Sequence, residues 1–105
     1  MATNAFGYEG SDLKFVVELT SDGFDIDRDD WAVGVQVGTK ILTTITKSEA
    51  IKSPEDGKWY ICINKEYVKK GDLSLVAYAK VPDADFDDGV RDEVDKRFIG
   101  VIQKV

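Results

Sequence analysis

Apolar residues recur at every second position along much of this chain, and that spacing restricts its fold more than any other feature. In residues 12–20, Leu13, Phe15, Val17 and Leu19 alternate with Lys14, Val16, Glu18 and Thr20. Successive side chains of a strand point to opposite faces, so the first set lines one face of a half-buried strand. The same period runs through Trp31–Val37 (Trp31, Val33, Val35, Val37) and Lys40–Thr46 (Ile41, Thr43, Ile45). It continues through residues 58–64 (Trp59, Ile61, Ile63), 73–81 (Leu73, Leu75, Ala77, Ala79, Val81) and 97–103 (Phe98, Gly100, Ile102).

Turn chemistry separates these runs. Asp22-Gly23 follows the first, and Gly38-Thr39 joins two β-rich runs as a hairpin. Pro54-Glu55-Asp56-Gly57 is a turn, Lys69-Lys70-Gly71-Asp72 breaks the alternation, and Pro82 ends a strand because it lacks the ladder N–H. Helical patterns are short: residues 48–51 make a single turn, and residues 88–96 offer only Val90 and Val94 to a core. Six strands, with a seventh near residues 90–94, predict an all-β fold, an antiparallel immunoglobulin-like β-sandwich of about seven strands. Residues 11–105 form the single domain and residues 1–10 a flexible N-terminal arm. Leu13, Phe15, Val17, Leu19, Trp31, Val33, Val35, Ile41, Trp59, Ile61, Ile63, Leu73, Leu75, Phe98 and Ile102 are the expected core.

A chain of 105 residues has room for one such core. Its lone cysteine, Cys62, cannot form an internal disulfide, and mid-strand with no histidine to activate it the thiol reads as buried and structural. The absence of histidine removes the commonest general base and metal ligand, and no phosphate-cradling glycine motif stands between a strand and a helix. No catalytic residue and no cofactor is therefore expected, and the chain is read as a non-enzyme. A net charge of −6 and a pI of about 4.6 oppose binding to nucleic acid or anionic membrane, and the pair Lys69-Lys70 is no basic patch. The opening MATNAFGYEG has neither the basic nor the apolar region of a secretory signal.

Two acidic loops and a few aromatic rings are the candidate binding features. Asp25, Asp27 and Asp29 in one loop, and Asp83, Asp85 and Asp87 in the other, repeat the D-x-D-x-D opening of a calcium loop. Both then depart from an EF-hand: Asp30 and Asp88 stand where glycine is required, and Gln36 and Val94 stand where a bidentate Glu belongs. A looser calcium site is one reading, and solvated Asp-rich turns are the other. Tyr60 and Tyr78 fall opposite the apolar faces and are the aromatic residues placed to stack on a sugar ring. A carbohydrate-binding module, with calcium in the acidic loops, is the alternative function.

One stretch carries a resemblance. Gly71-Asp72-Leu73-Ser74-Leu75, followed by Val81-Pro82-Asp83-Ala84-Asp85-Phe86-Asp87-Asp88-Gly89-Val90-Arg91-Asp92-Glu93-Val94, resembles a pattern in small phage and prophage proteins. The first half, with Phe15 to Leu19, a turn at Asp22-Gly23 and a strand from Trp31, is similar in layout to the N-terminal domain of phage baseplate upper proteins. The resemblance implies an immunoglobulin-like assembly module, a virion structural protein whose partners are other protein subunits, virion neighbours or further copies of itself. It implies residence in the virion or the bacterial host cytoplasm, and it carries no catalytic residue.

Overall fold

The computed structural model describes residues 5–105, and the fold is all-β. Among the described residues there are eight strands: β1 (Ala5–Tyr8), β2 (Leu13–Val17), β3 (Trp31–Val37), β4 (Lys40–Thr46), β5 (Ile51–Lys52), β6 (Trp59–Ile63), β7 (Gly71–Pro82) and β8 (Val90–Gln103). Two single 3₁₀ turns, Lys47–Glu49 and Lys65–Tyr67, complete the regular structure described. The strands form a five-stranded sheet in the order β1-β8-β7-β3-β4 and a three-stranded sheet in the order β2-β6-β5.

The larger sheet is mixed, because β1 runs parallel to β8 while its other pairings are antiparallel. Part of the segment expected as an arm is thus a strand: Ala5–Tyr8 pairs with the last residues of β8, and residues 1–4 lie outside the described residues. The runs at residues 90–94 and 97–103 merge into one 14-residue strand. Residues 88–96, a short helical pattern in sequence, are held extended from Val90 onward because β7 pairs with β8 from Gly71 to Pro82. Strands of 12 and 14 residues reach about 40–46 Å, and this hairpin accounts for most of the molecule's 51 Å length.

The core lies between the sheets in two clusters. Val35, Leu73 and Ile102 of the larger sheet meet Ile63 of the smaller one and Val68. Trp31 and Val33 meet Val17 and Ile61. Leu13, Phe15, Leu19, Trp59 and Leu75 are half-buried at the margins. The two tryptophans pack edge to face, ring centroids 5.5 Å apart.

Two expected core residues lie outside it, each for the same reason. Val35 opposes Thr43 while Gln36 opposes Ile41, so Leu42 is an extra residue that turns Ile41 to the outer face. Leu73 opposes Gly100 while Ser74 opposes Phe98, so Ile99 is extra and Phe98 turns outward too. Cys62 also departs from expectation: it is exposed. Alternation sets it opposite the buried Ile61 and Ile63, on the outer face of a sheet that nothing covers among the described residues.

Candidate functional site

The first acidic loop folds upon its own charges. The Asp25 carboxylate accepts the backbone N–H of Asp27 at 2.9 Å and of Arg28 at 3.2 Å, an arrangement short Asp side chains favour in turns. Asp29 is buried and accepts the Asp25 N–H, and the Arg28 guanidinium grips both its oxygens at 2.9 Å. Arg28, aided by the Asp25 N–H, holds the Asp29 carboxyl down at about 2. Asp27 accepts Lys52 Nζ at 2.9 Å and Trp59 Nε1 at 2.8 Å, and these bonds, Lys52 first, lower its pKa. Lys47 Nζ donates to the carbonyls of Asp27 and Asp29, and Trp31 Nε1 donates to that of Ile26 at 3.0 Å.

The second loop caps the β7–β8 hairpin. Asp83 accepts the Asp85 N–H at 3.0 Å and pairs with Arg91; the backbone bond and then the guanidinium lower its pKa. Asp88 accepts the Val90 N–H at 3.1 Å, and Asp85 and Asp87 are exposed. Arg91 ties the hairpin to the turn before the first loop, since it also binds Glu93 and the carbonyl of Asp22. The carboxylates of Asp25, Asp27, Asp29, Asp83 and Asp88 are therefore engaged by backbone N–H groups or by Arg28, Lys52, Trp59 and Arg91. Among the described residues no group of three or more His, Cys, Asp or Glu is arranged to hold a metal.

Tyr60 and Tyr78 are each half-buried. The Tyr60 hydroxyl donates to Asp56 at 2.6 Å, and the Lys14 ammonium sits over its ring, 5.0 Å from the centroid. That face of the ring already holds a cation. Tyr78 lies across Gly34, where a Cβ would meet its ring at 3.4 Å, close to Ile41. The six Asp and two Tyr candidates do not converge on one place.

Alternation along the strands did not reveal the two most distinctive surfaces. The outer face of the larger sheet carries exposed Ile41, Val94 and Phe98 around the half-buried Tyr78. The open side, between β2 and β8, is an apolar cleft of about 330 Å³. Phe15, Val17, Leu75, Ala77 and Ile99 line it, with Glu18, Asp95 and Arg97 also in its wall. A second hollow of about 320 Å³ continues it along Thr20, Ser21 and Ala79. Which strand edges face each other depends on strand order, and alternation reports faces alone. One signal was present: residues 91–97 carry charges at both parities, the mark of a strand end with water on both faces.

The chain matches no family model, no curated protein and no solved structure.

Its chemistry is read from the geometry alone. Asp25, Asp27, Asp29, Asp83 and Asp88 are spent on local order, and Arg91 and Glu93 tie the start of β8 to Asp22 and Ser21. The surfaces with unmet contact potential are the apolar outer face and the open side.

Proposed function

We propose that this chain is a non-catalytic structural subunit of a tailed-phage or prophage particle, an immunoglobulin-like β-sandwich that works through contacts with other protein subunits. The observation that carries this reading is the outer face of the larger sheet. There Ile41, Val94 and Phe98 stand exposed on a molecule of net charge −6. Exposed apolar side chains that share a face, here interleaved with the polar Gln36, Ser74 and Lys96, mark a protein contact.

Strand order supports the immunoglobulin-like form. β8, β7, β3 and β4 lie in the order of strands G, F, C and C′ of such domains, and β2, β6 and β5 in the order of B, E and D. Trp31, 2% exposed, begins the strand that corresponds to C, where these domains carry a core tryptophan. The stretch with the phage-like pattern, residues 71–94, makes β7, the acidic loop and the start of β8, the hairpin that presents Val94.

Mass spectrometry of particles purified from the producing cell tests the reading. The chain is expected in fixed copy number with the tail proteins, and Phe98→Asp is expected to remove it from the particle without unfolding it. Particles that lack the wild-type chain would overturn the proposal.

A further inference from the structure

We infer that the outer face of the larger sheet meets a second copy of the same chain, the two β8 strands lying antiparallel across a twofold axis at Val94. Between residues 90 and 98 the side chains that β8 turns to this face are Val90, Asp92, Val94, Lys96 and Phe98. Their direction is set by an unbroken register with alternate residues of β7, from Pro82 back to Ser74. Val94 is 65% exposed and Phe98 60%, Asp92 and Lys96 are exposed, and Val90 is half-buried.

The identity of the occupant is read from this row. It runs apolar, acid, apolar, base, apolar, and is therefore its own complement when reversed. A twofold contact is isologous, so that if one residue meets a second across it, the second meets the first. With the axis at Val94, the two Val94 side chains meet, Asp92 of each copy meets Lys96 of the other, and Val90 meets Phe98. Moving the axis by one outward residue sets Asp92 against Asp92 in one direction and Lys96 against Lys96 in the other. Like charges brought together oppose association, so charge selects a single register. Asp92 Oδ1 accepts Lys80 of its own copy at 2.9 Å, and Oδ2 is the acceptor for Lys96 of the other.

The shape of the face agrees with a sheet as its partner. Sheets packed face to face stand about 10 Å apart, close enough for their side chains to interdigitate. A hollow of about 260 Å³, lined by Ala32, Thr46, Tyr78 and Val94 among others, opens beside the axis and gives those side chains room. The neighbouring strand cannot supply the same match, because Lys80 is the one charge among the outward residues of β7 from Ser74 to Pro82. On the outer face of the smaller sheet the aromatic ring is already taken. Lys14 lies over Tyr60 at 5.0 Å from the ring centroid, and the Tyr60 hydroxyl donates to Asp56.

The inference rests on the assembly reading, in which this face meets protein, and names one partner for it. Sedimentation equilibrium of the full chain tests it, with Lys96→Glu, Asp92→Lys, the double swap, and an equimolar mixture of the two single variants. The wild type is expected to be a dimer. Each single substitution is expected to raise the dimer Kd about tenfold, because both symmetry-related pairs then carry like charge. The double swap restores the dimer, and the mixed single variants form a heterodimer in which every acid again faces a lysine. The Lys80–Asp92 pair is exposed, so its loss in Asp92→Lys costs the fold little, and circular dichroism melts check that each variant stays folded. A monomeric wild type, or a dimer indifferent to both single substitutions, would overturn the inference. A monomer still found in particles sinks this contact and leaves the assembly reading standing; a charge-swappable dimer missing from particles does the reverse.

Discussion

Phe98 and Ile102 hold equivalent places in the alternation of β8, yet Phe98 is 60% exposed and Ile102 is 1% exposed. The bulge at Ile99 makes the difference, and truncating each residue to alanine measures it. Ile102 packs among Val35, Ile63, Val68 and Leu73, drawn from both sheets and a connecting loop, so its loss leaves a cavity that collapses poorly. Such a truncation costs about 3–4 kcal/mol, within the range for buried Ile→Ala. Full burial of a Phe side chain contributes about 1.5–3 kcal/mol, and scaling that to the buried remainder of Phe98 gives about 0.6–1.2 kcal/mol. Urea unfolding followed by the fluorescence of Trp31 and Trp59 reads both. With m of about 2 kcal/mol/M, Ile102→Ala lowers the midpoint by about 1.5–2 M and Phe98→Ala by about 0.3–0.6 M. Equal shifts at unchanged m would mean that β8 alternates without interruption, and the assignment of faces on the larger sheet would fail with it.

Acid should weaken the fold partly through Asp29. Its folded pKa of about 2 lies below the ordinary 3.8, so the stability it contributes is complete above the ordinary value and is lost as pH falls toward 2. The Tm is expected to drop across that window, and Asp29→Asn to make the drop shallower; an unchanged slope would count against the Arg28–Asp29 pair as its source. Gly71→Ala is expected to cost about 1–3 kcal/mol in the same urea assay. Gly71 has φ 135°, and a Cβ would stand 3.0 Å from Val37 Cγ1, so a neutral result would refute the strained geometry. Millimolar calcium is expected to leave the Tm where chelator leaves it, because Arg28, Lys52 and Arg91 already engage Asp29, Asp27 and Asp83, which leaves each loop too few free carboxylates. A saturable rise in Tm would show that the loops bind the ion.

Period-two spacing revealed the strands because large apolar residues line the face that each turns to the core, while small or polar ones such as Gly34, Gln36 and Ser74 line the other. It placed β3 and β4 at their full lengths and found the buried faces of β2 and β6. β5 escaped because two exposed residues, Ile51 and Lys52, have no period to display. β1 escaped because Ala5-Phe6-Gly7-Tyr8 alternates small with aromatic residues beside a glycine, and its place is set by the distant end of β8. The acidic loops were legible as loops and illegible as sites. Arg28 is a neighbour in sequence, but Lys47, Lys52 and Trp59 reach the first loop from 18–32 positions away. Spacing along one segment cannot report partners brought in by another.

The two bulges show how a small step in sequence becomes a surface. The β3–β7 register between them is unbroken, with Val35 opposite Leu75 and Gln36 opposite Ser74. Leu42 on one flank and Ile99 on the other are therefore extra residues that adjoin the Gln36–Ser74 pair, one on each side of its level. The result is a row across four strands on the outer face: Ile41, Gln36, Ser74 and Phe98. Its two middle members are polar and buried, and the Gln36 amide donates to the Gly38 carbonyl at 2.9 Å. Its two ends are apolar and exposed. Without the bulges, β4 and β8 would keep a single alternation along their lengths, and Ile41 and Phe98 would turn inward with Thr43 and Gly100. One additional residue on each flanking strand thus moves a large apolar side chain from the core to the face proposed to meet other subunits.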